Sequence, residues 1–303
     1  MEQHLRSDLP GGVAPKRHRG RLGKRLSPYF LGAPAVFWLV IFFLVPLLTM
    51  MSLSLQTCDS FTLACRMTWH FGEFSELLGT THAILLRSLW YAGAATVIDL
   101  IVSFPFAYWI AFRVEKKSFF LLMLLVPFFV SFVIRTTAWQ FLLSDQGIVF
   151  GTLKSWHLLP ENFHVLQTGI AVVAGIAYNY LPFTALPLYV ALERIDGRVL
   201  EAAQDLYANR RVAFTKVILP LAIPGVFAAF LLTFVPGAGD YVNAFILGGP
   251  GNVMIGNVIQ TKFLVNSDYP AASSLSAMLM VLMLVGIAIY AKVLGTRTIE
   301  EYI

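Results

Sequence analysis

Apolar residues are gathered along this chain into six long runs, with polar stretches between them. Each run is about as long as the 20-residue helix that crosses a bilayer. Lipid offers no water to satisfy backbone polar groups, so such spans must be helical or closed barrels. The pattern predicts an all-α integral membrane protein with six transmembrane helices, over roughly Leu31–Leu53, Ile84–Phe112, Phe119–Leu143, Gly169–Leu192, Leu221–Leu247 and Ala271–Leu294. The third run has no sharp end, and Pro236–Gly239 interrupts the fifth.

The composition agrees with this prediction. Hydrophobic residues make up 57% of the chain and charged residues 13%, with a mean hydropathy of +0.72. Soluble domains carry about 25% charged residues. Residues 1–27 are the exception: they are basic, rich in Pro and Gly, and too poor in apolar residues to fold alone, which predicts a disordered tail. The tail and the run after it are too long for a cleavable signal peptide.

Lys and Arg are distributed unevenly between the two sides of the predicted membrane. The side richer in these residues faces the cytoplasm. The richer side holds the N-terminal tail and the segments after the second, fourth and sixth runs, so both termini and the loop 193–220 are expected in the cytoplasm. Its residues outside the tail are Arg113, Lys116, Lys117, Arg194, Arg198, Arg210, Arg211, Lys216, Lys292 and Arg297. This surplus is an orientation signal, and nucleic acid is not an expected partner.

The loop between the fourth and fifth runs contains a short amphipathic helix. Asp196 can cap its start, and Glu201 falls in its first turns, where a negative charge suits the helix dipole. Val199, Ala203 and Leu206 share one apolar face. A helix of about ten residues is marginal in water on its own. We therefore expect it to dock into a soluble cytoplasmic partner.

This loop resembles the EAA loop of permease subunits in binding-protein-dependent ABC importers. That family has EAA, three residues, a glycine and, further on, an I-x-L-P run. The matching residues here are Glu201, Ala202, Ala203, Asp205, Leu206, Ala208, Phe214, Val217, Leu219, Pro220, Pro224 and Gly225. The resemblance implies that the first six of them couple the chain to an ATPase subunit. Tyr207 stands where the family has glycine, and Asn209, which tolerates positive φ, is expected to take over the turn.

Span two carries Asp99 near its middle, and span three carries Arg135 and Trp139 one helical turn apart. A carboxylate at the bilayer centre is expensive and faces a cavity or a partner. Two roles stay open for Asp99: contact with a cationic substrate, or a structural pair with Arg135. In straight helices rising 1.5 Å per residue the two lie roughly 8 Å apart in depth, within reach of a long side chain. The guanidinium can also lie near the indole of Trp139.

Polar aromatic residues accompany helix breakers in spans four and five. Tyr178 and Tyr180 lie close to two prolines in span four, so they either line a cavity or pack against neighbouring helices. Asp240 and Tyr241 follow the Pro236–Gly239 interruption. A carboxylate beside a ring face suits an amine substrate, whereas the alternative for Asp240 is to cap a helix in a glycine-rich bend. The candidate substrate pathway is Asp240, Tyr241, Asp99, Tyr180 and Trp139.

Three stretches resemble the spermidine/putrescine branch of this permease family. Pro127, Arg135, Ala138 and Trp139 match its P-F…R-x-x-A-W pattern, and YLPFTALPLYVALERID runs into the EAA loop as it does there. The fifth run continues as P-x-x-G-D-Y-V, L-G-G-P and M-I-G-N-x-I-Q. The branch also includes permeases for opines, other organic cations and small anions. Asp99 and Asp240 favour a cation, because a carboxylate-lined path repels anions.

Cys58 and Cys65 lie in the external loop after the first run. A disulfide can persist outside the cytoplasm, and their spacing permits a bridge without requiring one. His157 and His164, in a later external loop, lack the paired spacing of metal ligands and are expected to be surface residues.

No phosphate-binding G-x-x-x-x-G-K-[ST] motif or recognised hydrolase motif occurs in the sequence. The resemblance therefore implies a multi-pass permease of the type-I ABC importer fold in a bacterial inner membrane, not an enzyme. Its implied partners are a second, non-identical permease, two ATPase subunits that bind ATP and Mg, and an extracytoplasmic binding protein. This chain would bind no cofactor or metal itself. The permease domain is expected over 28–297, with a cytoplasmic tail at 298–303; an ATP-independent secondary transporter and a membrane scaffold remain the alternatives.

Overall fold

The computed structural model describes residues 32–58, 65–69, 71–199 and 209–299. The predicted N-terminal tail and residues 200–208 lie outside the described part of the chain. The chain forms two compact units, Met1–Met50 and Met51–Ile303. In the first unit the described residues are helical, and they belong to helix α1 (Gly32–Leu53), whose turn at Val40–Leu44 is π-helical. The second unit contains the remaining elements.

The second unit is helical apart from one small hairpin among the described residues. Strands β1 (Gln56–Cys58) and β2 (Cys65–Met67) pair antiparallel. The helices that follow are α2 (Gly72–Arg113), α3 (Lys117–Leu125), α4 (Phe132–Leu143), α5 (Ile148–Ser155), α6 (Gly169–Glu193), α7 (Leu219–Ala238), α8 (Val242–Leu247), α9 (Ile255–Gln260) and α10 (Tyr269–Ile299). A helical turn at Arg210–Ala213 and a π-helical turn at Phe214–Ile218 lead into α7.

Helices α2, α6 and α7 pack together at the centre of this unit, where small residues allow a close approach. Ala92, Ala95 and Ala107 form part of the buried stripe of α2. On α7, a Cβ at Gly225 would overlap the side chain of Ala191 on α6. Small residues are typical of helix contacts in membranes, where tight packing replaces the hydrophobic driving force. The central packing of α2, α6 and α7 therefore depends on backbones lying close together.

Hydropathy predicted the spans well, although the third run differs in shape from the other five. Among the described residues, five helices are long and apolar enough to cross a membrane, and a bent pair provides the sixth if it is counted as one span. That pair, Lys117–Phe129 and Phe132–Ser155, bends by 88°. Pro127 lies in the 3-10 turn Val126–Phe129, and Val130 then takes an extended conformation that turns the chain. The span predicted over Phe119–Leu143 is therefore a bent pair of helices and not one continuous helix.

The predicted break in the fifth run is confirmed. Helix α7 ends at Ala238 and α8 begins at Val242, with Gly239, Asp240 and Tyr241 between them. Two other ends differ from the predictions: α2 begins at Gly72 rather than Ile84, and α10 continues to Ile299, into the predicted tail. The cytoplasmic orientation of the termini stays a prediction.

Candidate functional site

The predicted docking helix starts where the sequence placed its cap. The main-chain N–H of Arg198 donates to Asp196 Oδ1 at 3.0 Å, and that of Val199 donates to the Asp196 carbonyl at 3.0 Å. The cap at Asp196 is therefore confirmed. Glu201, Ala202, Ala203, Asp205, Leu206 and Ala208, with Tyr207, lie outside the described residues.

Asn209 begins the next helical turn instead of providing a left-handed turn. Its side-chain oxygen accepts the main-chain N–H of Arg211 at 3.0 Å, and its carbonyl accepts that of Val212 at 3.1 Å. It is not among the described residues with positive φ. The expectation that Asn209 replaces the family glycine through positive φ was therefore wrong, and its role is to cap.

A cavity of about 390 Å³ lies beside the start of the docking helix. Its walls come from the end of α6, the first residues of the docking helix and the first turns of α7. The lining residues are Ala191, Arg194, Ile195, Asp196, Val199, Leu221 and Pro224. The predicted docking helix thus starts beside the end of α6 and the first turns of α7.

The predicted pair of Asp99 and Arg135 is not formed. Neither carboxylate oxygen of Asp99 has a hydrogen-bond partner, and neither have Nε and Nη1 of Arg135. The small difference in depth between the two residues holds only for straight helices, and the bend before α4 carries Arg135 in another direction. Its guanidinium instead lies over Phe128, 4.0 Å from the ring centroid, with Phe132 at 5.8 Å.

Asp240 caps α8 and begins a buried polar network. Its Oδ1 accepts the main-chain N–H of Asn243 at 3.0 Å, and its Oδ2 accepts the side-chain amide of the same residue at 2.6 Å. The Asn243 side-chain oxygen in turn accepts from Asn179 at 3.1 Å and from Thr136 at 3.2 Å. All four side chains are buried. The network joins α8, α6 and α4 at the broken span, so the capping alternative for Asp240 is realised.

Aromatic side chains of α6 lie next to this network. Tyr178 packs against Trp139, with ring centroids 5.3 Å apart, and lies close enough to Arg135 for an electrostatic interaction. Tyr180 is half-buried and lies within electrostatic range of Asp240. Tyr241 is 44% exposed at the break itself. The structure thus brings Asp240, Tyr180, Tyr241 and Trp139 into one region at α4, α6 and α8.

Asp99 lies elsewhere. It is 1% exposed on the stripe of α2 that packs against α6 and α7, and the hydroxyl of Thr184 lies near its carboxyl group. Thr184 follows Asn179 by five residues on α6, about 7.5 Å along the helix axis. Asp99 therefore belongs to a different polar layer from Asp240.

A clamp on the segment after α8 was missed by the sequence analysis. Arg87 on α2 donates through Nε to the Val253 carbonyl at 2.9 Å and through Nη1 to the Gly251 carbonyl at 2.7 Å; Nη2 also donates to Val253. One turn further on, the hydroxyl of Tyr91 donates to Asn252 at 2.6 Å. The motif residues after L-G-G-P are thus tied to α2. Arg87 is one of the few basic residues on the predicted external side of the membrane, and this was the signal that could have identified it.

Two features lie in the segments that the sequence predicts to be external. The hairpin register places Cys58 opposite Cys65, and Cys65 is disulfide-bonded. After α4, Asp145 bonds Lys154 at 2.8 Å and His164 at 2.5 Å. The hydrogen bond from Lys154, with a smaller contribution from His164, holds the pKa of Asp145 below its usual value. His164 is thus an exposed partner of Asp145, and the described residues contain no group of three or more His, Cys, Asp or Glu side chains that could hold a metal.

Comparison with known proteins gives consistent matches over most of the chain. The profile of the family described as "Binding-protein-dependent transport system inner membrane component" matches residues 77–294. The spermidine/putrescine transport system permease protein PotB of Haemophilus influenzae is 35% identical over 268 residues, which cover 87% of this chain and 93% of that protein.

Two solved structures share the fold. One is a bacterial ABC transporter involved in import of the acidic polysaccharide alginate, with a TM-score of 0.72 and 20% identity. The other is a bacterial alginate ABC transporter in complex with an alginate pentasaccharide-bound periplasmic protein, with a TM-score of 0.70 and 20% identity. In both, the match covers 92% of this chain and 99% of the chain compared.

Proposed function

Since the chain belongs to the family of binding-protein-dependent transport system inner membrane components, we propose that it forms, with a second permease subunit, the path by which polyamines enter a bacterial cell. The chain is a multi-pass inner-membrane permease of the ABC importer type, a transport subunit and not an enzyme. One observation carries the substrate assignment: the 35% identity to the spermidine/putrescine permease of Haemophilus influenzae. That match covers 87% of the chain, far more than one motif.

The proposed substrate contacts lie at the break between α7 and α8. A polyamine presents ammonium groups on a flexible apolar chain, so a carboxylate and ring faces suit it. Asp240 would accept a hydrogen bond from an ammonium in place of the Asn243 side-chain amide, while the Asn243 main-chain N–H keeps the other oxygen. Tyr180, Tyr241 and Trp139 would supply ring faces. This exchange needs the break to open, because Asp240 is 5% exposed.

Coupling to ATP would enter through the docking helix. We propose that the helix from Gly197 to Ala208 docks on an ATPase subunit, with Glu201 and Ala203 at the contact. The cap at Asp196 supports this, since it starts a helix at that point, while Asn209 caps the start of the helical turn that leads into α7. A cavity between α6 and α7 lies beside the start of the docking helix, so movement of that helix could displace α6 and α7 together. Two such ATPases, carrying ATP and Mg, would rock the permeases between inward-facing and outward-facing states.

An extracytoplasmic binding protein would deliver the substrate. The structural neighbour solved in complex with a ligand-bound periplasmic protein supports this partner. The binding protein would set much of the specificity. Transport must therefore be tested with the complete importer, reconstituted from both permeases, the ATPases and the binding protein.

The test is uptake of labelled spermidine and putrescine by that importer. Asp240→Asn should reduce uptake strongly, whereas Asp268→Asn, at an exposed helix cap paired with Lys262, should leave it nearly unchanged. Absence of polyamine uptake with all subunits present would remove the substrate assignment. Equal uptake by the two variants would remove Asp240 from the path.

Arg135 favours a second candidate substrate class. Its Nε and Nη1 are buried without a hydrogen-bond partner, beside Phe128 and close to Tyr178. A substrate that bears both a carboxylate and an amine, such as an opine, would satisfy these donors. If opines compete with labelled spermidine in the reconstituted importer, and Arg135→Gln abolishes only that competition, this second assignment is supported. Competition by other polyamines alone would contradict it.

A further inference from the structure

Four oxygen-bearing side chains are buried on the three central helices where these helices pack. Asp99 and Ser103 lie one turn apart on the buried stripe of α2, and each is 1% exposed. Thr184 on α6 and Thr233 on α7 are both fully buried, with their hydroxyl oxygens 2.6 Å apart. The Thr184 hydroxyl also lies near the Asp99 carboxyl group. We call this set the Asp99 cluster: Asp99, Ser103, Thr184 and Thr233.

The cluster has more hydrogen-bonding capacity than its own members satisfy. Both oxygens of Asp99 and the Oγ of Ser103 are buried without a hydrogen-bond partner. Thr184 and Thr233 use one hydrogen bond on each other. Buried polar groups in proteins are nearly always paired, and a buried carboxylate without a counter-charge is especially unfavourable. Arg135, the cation predicted to neutralise Asp99, does not reach it.

We propose that the Asp99 cluster binds a single monovalent cation, with sodium as the probe ion. The two Asp99 oxygens and three hydroxyls offer five hard oxygen ligands, the donor type that non-transition cations prefer. One carboxylate among neutral hydroxyls balances one positive charge and not two. The described residues contain no group of three or more His, Cys, Asp or Glu side chains, which sets this donor set apart from a transition-metal site.

The cation would hold α2, α6 and α7 together where they pack. Its ligands come from all three helices, so binding stabilises the packed arrangement over any state in which they separate. In membrane transporters, oxygens from several helices coordinate sodium near the middle of the bilayer. The site is separate from the proposed substrate contacts at Asp240, and it does not depend on which substrate is carried.

The test measures the unfolding temperature of the complete importer complex in lipid nanodiscs, in sodium chloride or in choline chloride at the same ionic strength. The wild type should gain stability with sodium in a saturable manner. Asp99→Asn, Ser103→Ala and Thr184→Val should lose most or all of that gain. Thr96→Val is the matched control, because the Thr96 hydroxyl is buried on the same helix but bonds back to the Ala92 carbonyl. It should keep the full sodium response.

The readout needs no transport, so it stays informative if the polyamine assignment fails. Equal unfolding temperatures of the wild type in sodium and choline would overturn the proposal. They would mean that water or a proton, and not a cation, satisfies the Asp99 cluster. A sodium response that survives in Ser103→Ala and Thr184→Val at wild-type strength would place the cation elsewhere and also overturn it. These two variants keep the test decisive if Asp99→Asn fails to fold.

Discussion

Asp240 is the residue at which a structural and a transport role can be separated by measurement. Its carboxyl group accepts two hydrogen bonds from Asn243, at 3.0 and 2.6 Å, inside the break between α7 and α8. Asp240→Ala removes both acceptors and leaves two buried donors unpaired. A buried donor without a partner costs about 1–3 kcal/mol, so the variant should lose at least about 2 kcal/mol of unfolding free energy. Asp240→Asn keeps one acceptor, so its unfolding free energy should lie between those of the wild type and Asp240→Ala.

Asp268 supplies the comparison, since it also caps a helix after a break. Its Oδ1 accepts the main-chain N–H of Ala271 at 3.3 Å, and its Oδ2 pairs with Lys262 at 2.9 Å. The Asp268 side chain is 37% exposed, so water replaces what the mutation removes. Asp268→Ala should therefore cost about 1 kcal/mol or less.

Equilibrium unfolding of the purified permease in mixed detergent micelles measures both losses. We expect Asp240→Ala to be clearly more destabilising than Asp268→Ala. If the two variants lose the same free energy, the buried network does not hold the break. The transport role of Asp240 is then read from Asp240→Asn: a loss of uptake that exceeds its modest loss of stability.

Two further predictions concern the segment that follows the break. Gly256→Ala should destabilise the permease by about 1–3 kcal/mol in the same unfolding assay, because a Cβ there overlaps the carbonyl of Gly239. Gly251→Ala is the control: it has open space around it, so its unfolding free energy should stay within about 0.5 kcal/mol of the wild type. Equal effects of the two variants would contradict the close approach of Gly256 to Gly239. Arg87→Met should increase proteolysis or hydrogen exchange around Val253, since it removes donors to that carbonyl, and unchanged protection there would show that the clamp is dispensable.

Much of the fold could be predicted from local sequence. Long apolar runs predicted the spans because a bilayer requires helices of about 20 residues. The break at Pro236–Gly239 and the cap at Asp196 also depend on residues close together in sequence, and both are confirmed. The bend in the third run had a local signal in Pro127, but proline allows either a kink or a turn of 88°, and hydropathy does not distinguish them.

The contacts that define the site could not be predicted, because they join residues far apart in sequence. Asp240 pairs with Asn243 nearby, but Asn243 in turn meets Asn179 and Thr136 on two other helices. The predicted Asp99–Arg135 pair is also a contact between two helices. Its estimated difference in depth held only for straight spans, so the bend in the third run made the prediction wrong. The aromatic faces of Phe128 and Phe132 around Arg135 became visible only when the bend was known.

ATP-driven uptake of labelled spermidine into proteoliposomes decides whether this chain forms part of a polyamine importer. The vesicles contain this chain with its second permease and ATPase subunits, with binding protein outside, ATP and Mg inside, and no ion gradient. We predict accumulation that requires ATP and the binding protein, and that stops when Glu201 or Ala203 is crosslinked to an ATPase subunit. Uptake that proceeds without ATP, or no uptake with every subunit present, would contradict the account.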